Sequence, residues 1–328
     1  MKTQAPGRVN LIGDHTDYTG GLVFPMAINR WTTVEAEVVD NTITLSSKDA
    51  DGVVHFAIGA PFDPEMQPSW GRYVSAVSSV VNPQHGINGS VATTIPVGAG
   101  LSSSAALELA VAYALNDSIS PTSLALLMQQ AERIATGVPT GIMDQLCIAS
   151  ARDGYGTLID CATLGITHIE IPTDVEFVVR FIAHRTLEGS EYTDRVRECA
   201  DAEDAIGPLR QAELKSILSI DNPVIARRAR HVITENQRVR DFADALSHAD
   251  YTSAGHLMRE SHASLSHNFE VSTPQMDAVV NELCATPGVF GARMTGGGFG
   301  GCVVAMCQPG TTIDGWRVSP VGAACRVD

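Results

Sequence analysis

The feature that most constrains this chain is the glycine- and serine-rich stretch of residues 96–106, which reads PVGAGLSSSAA. Residues 90–95 before it are β-branched enough to form a strand, and residues 105–115 after it are rich in strong helix formers. The glycines and serines are therefore expected at a helix N-terminus, where unpartnered N–H groups and the helix dipole attract an anion. The stretch predicts a phosphate-holding loop.

Two other interpretations of this loop are open from the residues alone. The serines could simply cap the helix, or Gly98-x-Gly100 could belong to a dinucleotide-binding fold with Asp117 as the ribose-binding acid. The second is disfavoured because Asp117 lies between two helical patterns and not at the end of a strand. A Walker loop is excluded because no lysine follows the glycines.

The composition of the chain limits which classes of protein it can belong to. With 328 residues, of which 44% are hydrophobic and 18% charged, the chain can bury a sizeable core and is long enough for two domains. A net charge of −15 disfavours nucleic acid and anionic membranes as partners, since the chain repels phosphate. No apolar run is long enough to span a bilayer and no charged-then-apolar leader is present, so we expect a cytoplasmic protein. The seven cysteines lack metal-binding spacings and are expected to be reduced thiols.

A second dense group of polar residues lies near the start of the chain. Arg8, Asp14, His15 and Asp17 fall within a short segment whose glycines imply tight turns, so we expect them on loops that flank a brief strand at residues 9–12. An ordinary polar turn would explain the aspartates but not the arginine beside them. Carboxylates and an imidazole that converge in a turn are suited to sugar hydroxyls, each of which donates and accepts hydrogen bonds.

These residues carry a family resemblance. Residues 7–18, GRVNLIGDHTDY, closely resemble the galactokinase signature, and residues 98–104, GAGLSSS, resemble the ATP loop of the same kinases. Residues 295–301, TGGGFGG, match a third motif, and the three stand in the order found in the GHMP small-molecule kinases. The resemblance implies an α+β fold with two domains, residues 1–172 and 173–328, and an active site in the cleft between them.

The resemblance also implies a reaction and its residues. It implies transfer of the γ-phosphate of ATP to the anomeric hydroxyl of a galactose-like sugar, with Asp144 and Arg8 in catalysis and with Ser104 and Glu132 as ligands of Mg²⁺. The implied sugar contacts are Asp14, His15, Thr16, Asp17 and Tyr192, the last within the matching segment 190–195. The implied ATP contacts are Gly98, Ala99, Gly100, Leu101, Ser102, Ser103 and Ser104.

One of these roles has independent support from the sequence. Asp144 lies in an apolar segment between Met143 and Leu146, so its carboxylate is expected to be at least partly desolvated. An isolated buried acid is costly unless a cation pairs with it. Arg8 is the natural candidate. Taken alone, Glu132 is an ordinary residue on a predicted helix.

Asp14 departs from the family pattern, in which a glutamate is usual. The carboxylate is one methylene shorter, so the contact it makes with the sugar is lost or bridged by water. Galactose is the first substrate that the resemblance implies, and because of this departure N-acetylgalactosamine or a pentose is an alternative. A non-catalytic sugar and ATP sensor is a further alternative, but such relatives are damaged in the serine loop, which is intact here. We expect a monomer whose partners are the sugar and ATP, and a solvated basic face at Arg227, Arg228 and Arg230.

Overall fold

The computed structural model describes residues 1–184 and 191–327, and the strands of this described part form two sheets. Ser190, the first residue of the segment predicted to contact the sugar, lies outside the described residues. The strands in chain order are β1 (Lys2–Ile12), β2 (Leu22–Val39), β3 (Thr42–Ser47), β4 (Val53–Ala57), β5 (Gly86–Thr93), β6 (Tyr155–Asp160), β7 (Gly165–Glu170), β8 (Glu176–Ala183), β9 (Val289–Thr295), β10 (Gly301–Cys307), β11 (Trp316–Val318) and β12 (Cys325–Arg326).

The helices fall mostly in runs that are separate from the runs of strands, so the described chain is α+β as predicted. In chain order they are α1 (Gly71–Val81), α2 (Ser103–Leu115), α3 (Pro121–Thr136), α4 (Met143–Ser150), α5 (Tyr192–Ile206), α6 (Pro223–Ser247), α7 (Tyr251–Ser264) and α8 (Pro274–Ala285). Short 3₁₀ turns cover Asp17–Thr19 and Leu214–Ser219, and a π turn covers Leu265–Phe269. None of the helices in the described ranges is long and apolar enough to cross a membrane.

The first sheet has the order β12-β1-β2-β5-β3-β4, and β6 pairs with β2 and with β7. Its ladders are antiparallel except for the parallel pair of β3 and β5. Helices α2 and α4 pack on this sheet, and α1 and α3 pack on these two helices and on each other. Because α2 lies between the sheet and its neighbouring helices, it is buried on almost every side, and its near-continuous run of alanine and leucine suits that position.

The second sheet is antiparallel with the order β11-β8-β10-β9. Strand β10 is buried along its whole length, which explains its unbroken apolar sequence. Helix α7 packs against β9 at unusually close range: a Cβ atom at Gly255 or at Gly291 would collide with the main chain of the other element. This contact holds β9 against α7, and the third glycine motif begins at the last residue of β9.

The proposed boundary at residue 172 stays a prediction. Apolar packing crosses it, because Phe24 of β2 and Phe242 of α6 stack edge to face with ring centroids 5.7 Å apart in one buried cluster. The end of the chain also returns to the first sheet, where Arg326 of β12 pairs with Thr3 of β1.

Two predictions from the sequence are wrong. The first strand is longer than residues 9–12, so Arg8 lies on β1 and not on a loop, because pairing with β2 continues through a register shift at Pro6 and Gly7. Arg228 is not on a solvated face either. It is 2% exposed, and its guanidinium donates to Glu198 at 2.7 Å and to Glu270 at 2.7 Å.

We predict that Phe242→Ala destabilises the fold by about 3–5 kcal/mol, because it empties a fully buried site between β2 and α6. Urea unfolding followed by circular dichroism would measure the loss. Leu218→Ala is the control, since Leu218 is 90% exposed and its truncation should change the free energy of unfolding by no more than about 0.5 kcal/mol. Equal stabilities for the two variants would contradict the packing described here.

Candidate active site

A cavity of about 330 Å³ lies where the first motif, the glycine–serine loop and the third glycine motif meet. Most of the side chains predicted from the sequence line it, together with Gly296 and Gly297 of the third motif. The predicted residues in its lining are Arg8, Asp14, His15, Asp17, Gly98, Gly100, Ser102, Ser103, Ser104, Glu132, Asp144 and Tyr192. The tertiary structure thus brings the predicted sugar, phosphate and metal residues to one place.

Three predicted residues are outside this lining. Ala99 and Leu101 are almost fully buried and pack in the core. Thr16 is fully buried, and its hydroxyl lies 2.8 Å from the carbonyl oxygen of Gly13 and 2.6 Å from that of Leu22. Contact between Thr16 and a sugar stays a prediction. The bonds of Thr16 to Gly13 and Leu22 indicate that it holds the turn between β1 and β2.

The glycine–serine loop joins β5 to α2, as the sequence predicts. Gly98 and Gly100 have φ values of 74° and 77°, in the left-handed region that glycine adopts without strain. Ser102 is also left-handed, at φ 60°, and its side chain makes no capping hydrogen bond to the helix. Its hydroxyl donates instead to Asp144 at 2.5 Å. Capping therefore does not account for the serine at this position.

Arg8 and Asp144 form a bidentate ion pair. Arg8 Nε donates to Asp144 Oδ1 at 2.7 Å and Arg8 Nη2 donates to Oδ2 at 2.8 Å, so the predicted pairing is confirmed. Arg8 Nη1 also donates to the carbonyl oxygen of Gly100 at 2.7 Å. Burial by itself would lower the pKa of Arg8, but the neighbouring carboxylate of Asp144 raises it above its ordinary value. The guanidinium is therefore charged and lies between the Asp144 carboxylate and the glycine–serine loop.

Glu132 and Ser104 form a second polar pair in the cavity wall. The Ser104 hydroxyl donates to Glu132 Oε1 at 2.7 Å, and the fully buried amide of Gln145 donates to Oε2. Burial, and then the negative charge of Asp144, raise the pKa of Glu132 to about 7. Gln145 was not identified from the sequence, although it directly follows the predicted catalytic aspartate.

The Glu132 pair is suited to a magnesium ion. Among the described residues, no lysine or arginine forms an ion pair with Glu132, so this buried carboxyl group lacks a cation of its own. Hydroxyl and carboxylate oxygens are ligands that Mg²⁺ accepts. The described chain contains no cluster of three acidic, histidine or cysteine side chains suited to a metal. This fits an ion that is bound through one or two carboxylates, with water and substrate phosphates completing its shell.

The predicted sugar residues form an aromatic and acidic wall. His15 packs between Tyr192 and Phe269, with ring centroids 5.4 Å and 4.7 Å away, and its Nδ1 lies 3.0 Å from the hydroxyl of Tyr18. Asp17 lies opposite Gly141, where any added Cβ atom would overlap its carboxylate. Only glycine fits at position 141 while Asp17 keeps its position.

Asp17 and Asp14 have different electrostatic surroundings. Burial, and then the charge of Asp144, raise the pKa of Asp17 to about 6. Asp14 is 1% exposed and pairs with the fully buried Arg293 of β9 at 2.7 Å. Asp14 also accepts a hydrogen bond from the main-chain N–H of Gly296 at 2.9 Å. Arg293 was not identified from the sequence, although a lone arginine inside the apolar strand β9 is a signal for a buried partner.

Three family models match the chain in the order of the three motifs. The galactokinase galactose-binding signature matches residues 2–38, the GHMP kinases N terminal domain matches residues 72–152, and the GHMP kinases C terminal model matches residues 242–314. Together they span more than half of the chain, and each includes one of the motifs identified from the sequence.

Solved structures agree with this assignment. Lactococcus lactis galactokinase, determined in complex with galactose, is 27% identical and matches with a TM-score of 0.90 over 99% of this chain and 95% of its own. Methanococcus jannaschii mevalonate kinase is 19% identical, with a TM-score of 0.71 over 98% of each chain. Streptococcus pneumoniae phosphomevalonate kinase, determined with phosphomevalonate and AMPPNP, is 14% identical, with a TM-score of 0.67 over 94% of this chain and 92% of its own.

The last two structures show the shared fold, whereas each of the three family models also includes one of the motifs around the cavity. The chain therefore belongs to the GHMP kinase family and carries the galactokinase galactose-binding signature.

Proposed function

We propose that this chain is a galactokinase that transfers the γ-phosphate of ATP to the anomeric hydroxyl of galactose, with magnesium as cofactor. The observation that carries the proposal is the Arg8–Asp144 ion pair, which lies between the galactose-binding signature and the glycine–serine loop. Phosphoryl transfer requires positioning and charge neutralisation more than covalent chemistry, and this site offers both.

Each group of residues has one task in this proposal. Asp144 accepts or orients the proton of the anomeric hydroxyl, whose oxygen forms the new bond to the γ-phosphorus while the bond to the ADP oxygen breaks. Arg8, which contacts both Asp144 and the loop carbonyl of Gly100, stabilises the negative charge of the transferring phosphoryl group.

The remaining groups bind the two substrates. Main-chain N–H groups of the glycine–serine loop and the N-terminus of α2 bind the phosphates of ATP. His15, Asp17 and Tyr192 line the cavity and contact the sugar. The Ser104 hydroxyl and the Glu132 carboxylate would hold magnesium, which would supply positive charge to neutralise the phosphates. The seven cysteines are all free thiols, which supports the cytoplasm as the proposed location, and the monomeric state stays a prediction.

We expect the chain to phosphorylate galactose in the presence of Mg²⁺ and to lose this activity when a chelator removes the metal. Transfer from labelled ATP would be measured with galactose, N-acetylgalactosamine and a panel of pentoses. If one of the other sugars has a higher kcat/KM than galactose, that sugar is the substrate. ATP binding without phosphorylation of any sugar would favour the sensor.

Asp144→Asn keeps the side-chain volume and removes the charge, so we expect kcat to fall by about 10²–10⁴ while ATP binding is kept. Arg8→Ala should lower kcat by about 10²–10³, as for a lost oxyanion donor. Because each side chain positions the other, the double variant should be far less impaired than the product of the two losses.

The control for this pair is Arg210→Ala. Arg210 forms an equally bidentate pair with Asp160 outside the cavity lining, with both distances at 2.9 Å, so its truncation should leave kcat within about threefold of wild type, as expected away from the site. Strictly multiplicative losses for Arg8 and Asp144 would mean that they do not act as a unit.

The raised pKa of Asp17 predicts a pH dependence for sugar binding. Below pH 6 the carboxyl group is protonated, so one of its oxygens becomes a donor and the charge that strengthens its bonds to sugar hydroxyls is lost. The kcat/KM for galactose should therefore fall there, by up to about tenfold per pH unit. Initial rates at saturating ATP between pH 5 and pH 8 would measure this. Asp17→Asn should remove this limb of the profile, and a limb that persists in the variant would belong to another group.

A further inference from the structure

Asp14 lies in the galactose-binding signature, yet its carboxylate is already occupied by protein groups. Oδ1 accepts from the N–H of Gly296 at 2.9 Å, and Oδ2 lies 2.7 Å from Nη2 of Arg293. Oδ2 is buried and, within the described chain, makes this close ion-pair contact without a well-aligned hydrogen bond, and the residue as a whole is 1% exposed. Asp17, three positions later, is only partly buried and carries no such ion pair among the described residues.

Arg293 has a second carboxylate beside it. Glu235 of α6 is fully buried, with Oε1 3.9 Å from Arg293 Nη2, and its Oε2 accepts from Arg238 at 2.7 Å. Burial by itself would raise the pKa of Glu235, but Arg238 and the other cationic neighbours lower it to about 2, so it is ionised. Two carboxylates and two guanidinium groups thus balance each other, and removal of one leaves a buried charge uncompensated.

The same buried set holds the main chain of the first motif. Glu235 accepts from the N–H of Gly13 at 3.0 Å. His231 Nε2 lies 3.0 Å from the carbonyl oxygen of Asp14, and burial lowers the pKa of His231 to about 4, so a neutral ring donates from Nε2. Thr295 bonds both the N–H and the carbonyl of Asn10. Helix α6 and the end of β9 therefore set the path of residues 10–14, directly before His15 and Asp17.

We propose that Asp14 does not contact the sugar but positions the sugar-binding turn, and that Arg293 and Glu235 are positioning residues that act through it. This inference rests on the proposed function, because the turn is the one that carries His15 and Asp17. An aspartate reaches from the turn to both the Gly296 N–H and the Arg293 guanidinium, and the longer glutamate would displace either the ion pair or the turn.

Substrate analogues separate a positioning carboxylate from one that contacts the sugar. We would measure kcat/KM of wild type and Asp14→Asn with galactose and with the four monodeoxy galactoses that keep the anomeric hydroxyl. A displaced turn should lower kcat/KM by a similar factor, on the order of 10²-fold, for every sugar, while KM for ATP changes much less. If the loss disappears for one analogue, Asp14 contacts the missing hydroxyl and the inference is overturned.

Glu235→Gln tests the same idea from a residue outside the cavity lining. It should also raise KM for every sugar more than KM for ATP, and its effect should be less than multiplicative with that of Asp14→Asn. Glu282→Gln is the matched control, since it removes an exposed ion pair with Arg180 and should leave both KM values unchanged. If Glu235→Gln has the kinetics of wild type, Glu235 is not a positioning residue.

A crystal structure of the wild-type chain with galactose tests the inference even where the variants do not fold. We expect the Asp14 carboxylate to stay on Arg293 and Gly296, with every sugar oxygen beyond hydrogen-bond distance. A sugar hydroxyl bonded to Asp14 would overturn the proposal. The rate of wild type with galactose tests the proposed function separately from the role of Asp14. Failure to phosphorylate galactose would contradict the proposed function, whereas the role of Asp14 is decided by its contacts in the crystal structure.

Discussion

The ion pair between Arg8 and Asp144 fixes the relative positions of three elements. It joins β1 to α4, and its contacts with the Gly100 carbonyl and the Ser102 hydroxyl add the loop before α2. The Arg8 charge would be costly alone at this depth, since its side chain is 3% exposed, whereas that of Asp144 is 25% exposed. The geometry that stabilises the pair is therefore the geometry that places an acid and a cation beside a phosphate loop.

The first motif contains two aspartates whose roles differ because their surroundings differ. Asp14 is paired with Arg293 and bonded to Gly296, whereas Asp17 lies against Gly141 with a raised pKa and faces the cavity. Burial raises the pKa of both, but among the described residues a guanidinium lies within ion-pair distance of Asp14 and none does so of Asp17. A carboxylate without such a cation is free to accept from a ligand, and a paired one mainly holds the protein.

Local signals explain where prediction succeeded. Helix α6 begins where local signals place it, because Asn222 caps it and Pro223 occupies its first position, and both signals lie next to the boundary in the chain. Helix α3 begins in the same way, with Ser120 and Pro121. The length of β1 and the burial of Arg228 were predicted wrongly, because each depends on partners in other elements.

By itself the sequence determined the three motifs and their order, the strand–loop–helix around the glycines, and the need of Asp144 for a cation. It did so because these features depend on backbone propensity, on helix-end chemistry and on the cost of a desolvated charge. Only the tertiary structure decided which carboxylate faces the cavity and which is buried in an ion pair. Gly13 and Glu235 are 222 residues apart, and Asp14 and Gly296 are 282 apart. No local pattern encodes contacts over such separations, since they form when α6 and β9 pack against β1.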